Sequence, residues 1–227
     1  MLKHLFPQDK DISREVFTLA FPVILSNLSR VFMSVVDVAM VGRLGAEALA
    51  ATGMGAMLFW GALSLVLGIR TAVQTVAARR LGQNIDHEAG TAFHNGLLLA
   101  TIYALPMSVA GWYWSKDFIP FFIQDPIATP LTVDYSSIIF LSLLFSSYSF
   151  VFQGFYTGVE KTKIHMRVTI TSNVINVYLN AGFIYGSEGV KSFFSETIPT
   201  LSFLSHLWQW TSFPAMGVKG AAIATLI

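Results

Sequence analysis

Six apolar stretches dominate this sequence, at about 14–41, 48–78, 88–114, 131–157, 163–186 and 216–227, and they leave the chain few ways to fold. A helix needs about 20 predominantly apolar residues to cross a bilayer. The first five stretches reach that length, so the expected fold is an all-α membrane protein, a bundle of six transmembrane helices. Composition agrees. Only 12% of the residues are charged and the mean hydropathy is +0.60, where soluble domains carry about 25% charged residues. The first stretch is too long for the apolar core of a signal peptide and lacks a small-residue cleavage site, so it reads as an uncleaved first helix. The sixth runs out about a dozen residues after Ala215, roughly 18 Å of helix, which is too short to span. The expectation is a fragment of a longer protein.

Charge sets the expected topology. With the N-terminus inside, Lys3, Lys10, Arg14, Arg79, Arg80, Lys161, Lys163 and Arg167 fall on the cytoplasmic side. Arg43, Lys116, Lys191 and Lys219 fall on the other, eight basic residues against four. The positive-inside rule then places the N-terminus in the cytoplasm. Residues 1–13 become a cytoplasmic tail and 14–227 a transmembrane lobe of a multi-pass protein of the cell membrane, plasma or bacterial inner. Residues 187–213 form an insertion on the far side, whose Phe193, Phe194, Trp208 and Trp210 suit an amphipathic segment at the outer interface.

Asp37 sits inside the first apolar stretch, where a carboxylate costs at least about 2.5–3.5 kcal/mol. Ionisable residues at that depth normally face the bundle interior and are paired and functional. Asn27, Arg30 and Ser34 precede it by ten, seven and three residues, so all four share one helical face. Two further polar stripes recur at helical spacing. One comprises Tyr135, Ser142, Ser146, Ser149, Gln153 and Tyr156; the other His165, Thr169, Asn173, Asn176 and Asn180. Ser and Thr at such spacing serve close packing of membrane helices equally well. The three asparagines exceed what packing needs, and with Asp37 they offer oxygen donors suited to a hard cation; a lone carboxylate can instead carry a proton. His94 and His165 lie near predicted cytoplasmic helix ends, which favours an interfacial place over a proton relay.

Other chemistries find little support. The 227 residues contain no cysteine, so no thiol nucleophile or thiolate metal site is available among them. A formal net charge of +1 without a basic cluster argues against nucleic acid. No Ser occupies a nucleophile turn and no His-x-x-x-His pair lies in a helix, so neither a hydrolase nor a zinc enzyme is indicated. A non-transporting membrane scaffold would leave Asp37 unexplained.

Five elements in register give the sequence a family likeness. They are Pro22 with Asp37 fifteen residues on and the turn Met40-Val41-Gly42-Arg43-Leu44-Gly45; Ala77-Ala78-Arg79-Arg80-Leu81-Gly82; and Gln153-Gly154-Phe155-Tyr156-Thr157-Gly158. Asn176 and Asn180 followed by Tyr185-Gly186, and the run Gly217-Val218-Lys219-Gly220-Ala221-Ala222-Ile223-Ala224-Thr225, complete the set. Together they resemble the multidrug and toxic compound extrusion (MATE) family. The resemblance implies a twelve-helix transporter of two six-helix lobes, of which this is the N-terminal one, with the C-terminal lobe beyond Ile227. It implies antiport: sodium ions or protons enter, and amphipathic, often cationic, small molecules leave. No cofactor is implied beyond the coupling ion. By position, Asp37 carries the charge with Gln153, Asn176, Asn180 and Thr225 as neighbours; Asp37, Asn176 and Asn180 would ligate sodium. Asn27, Arg30, Ser34, Ser146, Ser149, Tyr156 and Asn173 are the expected substrate cavity, and Pro22 the hinge of the first helix. Some relatives carry an acid where this chain has Asn180, which lowers the negative charge expected of the site. A flippase for lipid-linked oligosaccharides or cell-wall precursors is the nearest alternative; it needs a strongly basic cavity, for which Arg30 and Arg70 are the available residues.

Overall fold

The computed structural model of the chain describes residues 10–197, 199–209 and 212–227. Residues 1–9 of the expected tail, and Trp210, lie outside the described residues. Helices run in the order α1 (Lys10–Gly42), α2 (Ala46–Gly82), α3 (Asp86–Phe118), α4 (Ala128–Leu141), α5 (Leu143–Gly158), α6 (Thr162–Thr197) and α7 (Val218–Leu226). Short 3₁₀ segments follow α3 (Ile119–Phe121) and α6 (Pro199–Trp208). In hydrocarbon every backbone donor and acceptor must be satisfied within the chain, and long uninterrupted helices do this segment by segment. Asp11–Gly42, Ala46–Gly82 and Asp86–Phe121 are each long and apolar enough to cross a membrane, and α4 with α5 makes a fourth span if the bent pair is taken as one.

The helices pack as two layers. α2 lies against α3, α4 and α5, while α1 packs mainly on α6, and α7 sits against both α4 and α6. α1 touches α2, and α5 touches α6, only lightly. Leu63, Val66, Ala100, Ala104, Leu143 and Val151 form the dry interior of the first layer. Small residues let α2 and α5 cross closely, as is usual between membrane helices. A Cβ at Gly154 would run into the Arg70 carbonyl, and one at Gly158 into the Gln74 carbonyl.

Two breaks depart from straight spans. The expected helix over 131–157 is two helices bent by 48° at Ser142. Ser142 turns its own N–H and its hydroxyl onto the same Ile139 carbonyl, at 3.0 and 2.7 Å. That tighter i−3 bonding replaces one regular turn and redirects the axis. The polar stripe expected along this span is therefore split, with Tyr135 on one helix and Ser146 onward on the other. The second break is Gly186, whose φ of 73° and ψ of 167° interrupt α6 where the fifth span was expected to end. Glycine is the residue that takes this geometry without strain.

After Gly186 the chain folds back on α6. Met216 N–H donates to Phe183 O (2.8 Å), Gly217 N–H to Ile184 O (3.1 Å) and Ser187 N–H to Phe213 O (3.2 Å). Trp208 stacks on Tyr178 with ring centroids 5.0 Å apart and donates its indole N–H to the Tyr178 carbonyl at 2.8 Å. The Arg43 guanidinium, from the α1–α2 turn, lies 4.3 Å from the Phe193 ring centre. The insertion is thus packed against the lobe through its aromatic residues.

Candidate functional site

α1 remains helical through Pro22, which is buried and lies one turn below Ser26. A proline inside a helix cannot donate to the carbonyl four residues earlier, here that of Thr18. The buried Ser26 hydroxyl donates 2.7 Å to the Pro22 carbonyl. Further along, Arg30, Ser34 and Asp37 share the wall of one cavity, whereas Asn27, expected on the same face, is exposed and lines no cavity described here.

That cavity, of about 360 Å³, lies on the seam between the layers and is walled by α1, α2, α4, α6 and α7. Asp37 is half-buried in it, and Asn180 on α6 is 2% exposed. Asn180 Nδ2 donates to Asp37 Oδ1 at 2.7 Å and to Asn176 Oδ1 at 2.8 Å. Asn176 Nδ2 in turn donates 2.8 Å to the Ala224 carbonyl on α7. One hydrogen-bonded chain therefore joins α1 to α6 and α6 to α7. Thr225 is at the same wall, its hydroxyl donating 3.0 Å to the Ala221 carbonyl. Tyr135 closes the α4 side; its ring fits because Gly55 on α2 has no Cβ to meet it.

The oxygen donors fit a monovalent charge. Asn180 Oδ1 is buried without a hydrogen-bond partner, and Asp37 Oδ1 and the Thr225 hydroxyl share its cavity. Among the described residues no group of three or more His, Asp or Glu gathers as a metal site. One carboxylate with neutral oxygens is a donor set for a proton or a sodium ion, whose single charge balances that of Asp37.

Gln153 is elsewhere. Expected beside Asp37, it lines a second cavity, of about 510 Å³, between α1, α5 and α6. Gln153 is 14 residues beyond Ile139, the last residue of this span on the Asp37 cavity, which is more than about 20 Å of helix and too far to reach it. Arg30, Ser146, Ser149, Tyr156 and Asn173, expected to share one cavity, line the second one; Ser34 belongs to the first. The three asparagines thus divide. Asn173 donates 2.7 Å to Ser29 Oγ on α1, a partner the sequence did not single out, and stands apart from the Asp37 site. His165, expected at the interface, lines the second cavity with its Nε2 3.3 Å from the Thr169 hydroxyl. Its place on the asparagine stripe was the signal for that position. Trp60, Phe59 and Thr52, which wall the Asp37 cavity from α2, carried no such signal.

Comparison with known proteins agrees with this architecture. The multidrug resistance protein NorM of Burkholderia vietnamiensis is 26% identical over 210 residues, covering 92% of this chain and 40% of that protein. A probable multidrug resistance protein NorM of Photorhabdus laumondii is 30% identical over 183 residues, covering 78% of this chain and 39% of that protein. A solved outward-facing multidrug resistance MATE family transporter superposes with a TM-score of 0.75 at 22% identity, over 93% of this chain and 41% of that one. MATE in the bent conformation gives 0.74 at 21%, over 94% and 42%. Identities this low speak for the fold alone: an all-α membrane bundle of the MATE type. The chain spans about two fifths of the length of these relatives. The MatE family profile matches residues 22–181, well over half of the sequence, and the chain belongs to the MatE family.

Proposed function

We infer that this chain forms the N-terminal lobe of a twelve-helix secondary antiporter, which exports amphipathic small molecules in exchange for protons or sodium ions. The C-terminal lobe would follow Ile227, and the protein would lie in the plasma or bacterial inner membrane with its N-terminus in the cytoplasm. The similarity to multidrug resistance proteins favours this reading. The observation that carries it is the contact between Asn180 Nδ2 and Asp37 Oδ1, 2.7 Å long, which links α1 to α6 on the wall of the cavity where their layer meets α2 and α4.

The chemistry follows from what neutralising Asp37 does to that contact. The ionised carboxylate only accepts, so Asn180 presents its N–H₂ and its own Oδ1 is left without a donor. A protonated Asp37 has an O–H to give. Turning the Asn180 carboxamide lets Oδ1 accept a hydrogen bond from that O–H, and Nδ2 then leaves Asn176. A sodium ion would call on the same Oδ1 as a ligand. In both cases the charge state of Asp37 is read at Asn176 and, through the Ala224 carbonyl, at α7. α1 can then shift against the other layer, with Pro22 as the place where its hydrogen-bond ladder is already interrupted.

The test is drug efflux from cells or proteoliposomes. Asp37→Asn should abolish pumping driven by an imposed ion gradient while leaving the protein in the membrane at normal abundance. Full pumping by that variant removes the mechanism.

A further inference from the structure

The second cavity has the wrong polarity for a purely cationic substrate. Arg30 lines it, and Arg70, whose stem lies against α5 at Gly154, is within electrostatic reach of Arg30. His165 lines it as well, within reach of both guanidinium groups. No Asp or Glu lines the cavity, and among the described residues no carboxylate pairs with Arg30 or Arg70. Asp37 is two helical turns from Arg30, about 10 Å along α1. The Arg30 guanidinium lies 5.5 Å from the Phe150 ring centre, a contact that leaves its N–H groups for another partner.

A second observation points the same way. Gln153 is 1% exposed, lines this cavity, and its Nε2 is a buried donor without an acceptor. Two cations and an orphaned N–H₂ at membrane depth lack a negatively charged acceptor. A carboxylate, sulfonate or phosphate group can meet Arg30 and Gln153 directly while Arg70 adds charge nearby, and guanidinium groups bind such oxygens in a forked, charge-assisted geometry. Phe152, Ile164 and Val168 supply apolar wall for the remainder of a molecule, and about 510 Å³ suits a drug-sized ligand.

We propose that the cavity between α1, α5 and α6 binds the anionic group of an amphiphile, held by Arg30 and Gln153 with Arg70 as the supporting charge. This rests on the reading of the chain as part of an exporter and narrows its substrates to anionic or zwitterionic amphiphiles. The anion and the coupling cation would then occupy different cavities, with Arg30 on the wall of both.

The test is equilibrium binding to the intact protein in phosphatidylcholine nanodiscs, read by fluorescence titration against empty discs. Anilinonaphthalene sulfonate is the anionic probe and ethidium the cationic one. The sulfonate should bind saturably. Arg30→Gln and Gln153→Leu should each weaken it about tenfold, the loss of one charge-assisted or buried hydrogen bond. Gln153→Glu, which keeps the side-chain size, should abolish it. Ethidium binding should not fall in any of the three. Absence of saturable sulfonate binding, or Gln153→Leu and Gln153→Glu binding it as the parent does, overturns the proposal. Adding phosphatidylglycerol to the discs identifies the source of the anion. Competition assigns the site to a lipid headgroup and no competition to a free amphiphile, and both outcomes uphold an anion site. Because binding is read without transport, failure here with Asp37-dependent efflux intact would remove this inference alone.

Discussion

The Asp37–Asn180 contact can be weighed by a double-mutant cycle of Asp37→Ala, Asn180→Ala and the pair. In soluble proteins a hydrogen bond to a charged group contributes about 1.5–3 kcal/mol. Between membrane helices measured values are smaller, about 0.6 on average and 1.7 at most, because the unfolded segments also find partners in the bilayer. Here the distance is 2.7 Å, the donor residue is 2% exposed and the acceptor carries a charge. Those features place the coupling near the upper end, about 1.5 kcal/mol, or roughly tenfold in an equilibrium constant. Asn180→Ala alone should cost more than this, since Nδ2 also serves Asn176 Oδ1 at 2.8 Å. That second loss is common to both arms and cancels in the cycle. The assay is reversible unfolding in mixed micelles at neutral pH without sodium. If the two residues add within about 0.5 kcal/mol, the limit for independent sites, they do not communicate and the proposed switch fails.

Two further outcomes test the frame around the site. Gly154→Val places a branched side chain against the Arg70 backbone carbonyl, which cannot swing aside, and overpacking of this kind costs about 1–3 kcal/mol. A lower melting temperature is expected, and an unchanged one would contradict the α2–α5 crossing. In the α3–α4 connection, Asp125 Oδ1 accepts from the N–H of Ala128 (2.7 Å) and of Ile127 (2.9 Å), which holds its carboxyl below the usual carboxylate range. A depressed value means that the contribution to the start of α4 is complete above the ordinary carboxylate pKa and disappears as pH falls through the depressed one. Amide exchange at Ile127 and Ala128 should therefore be faster in Asp125→Ala than in the parent at neutral pH, with the difference vanishing in acid. A gap that does not change with pH would refute the cap.

Helix placement was legible because periodicity and length carry it. Boundaries expected at 14–41, 48–78 and 88–114 lie inside the observed 10–42, 46–82 and 86–118. The bend at Ser142 was not legible. Neither Pro nor Gly marks it, and a serine hydroxyl turning back on a carbonyl is equally at home in a straight helix. Gln153 was placed beside Asp37 by the family resemblance, and it lines the other cavity. That Asp37 needs a polar neighbour was legible from depth alone, since a carboxylate in hydrocarbon demands one; Asn180 as that neighbour came from the family resemblance. The partition of the asparagines was not. A stripe shows that Asn173, Asn176 and Asn180 share a face, but Asn173 and Asn180 are seven residues apart, about 10 Å along the axis, and meet different parts of α1.

Two of the three unsatisfied buried groups among the described residues lie on the seam between the layers. Inside the α2–α5 layer polar side chains other than Ser136 find fixed partners: Tyr103 donates to the Ala62 carbonyl at 2.6 Å, and Ser108 to the Phe140 carbonyl at 2.8 Å. Such bonds hold the layer as a unit. Among the described residues three buried side-chain atoms lack partners, on Ser136, Gln153 and Asn180. Gln153 and Asn180 belong to cavities on the seam, one an orphaned donor beside cations and the other an orphaned acceptor beside an anion. An unpaired buried group costs about 1–3 kcal/mol, so a fold keeps one where a transient ligand meets it for part of a cycle. The two orphans are of opposite kind, and their cavities share Arg30. Filling either cavity changes the charge that Arg30 faces. A cation at Asp37 removes the nearest negative charge on α1 and strengthens the pull of Arg30 on an anion in the other cavity; an anion there weakens the pull of Arg30 on Asp37. Exchange would then require that the cation's arrival be tied to movement of α1, which carries Arg30 and Asp37 together, and the light packing of α1 against α2 and of α5 against α6 lets α1 and α6 move as a pair against the other layer.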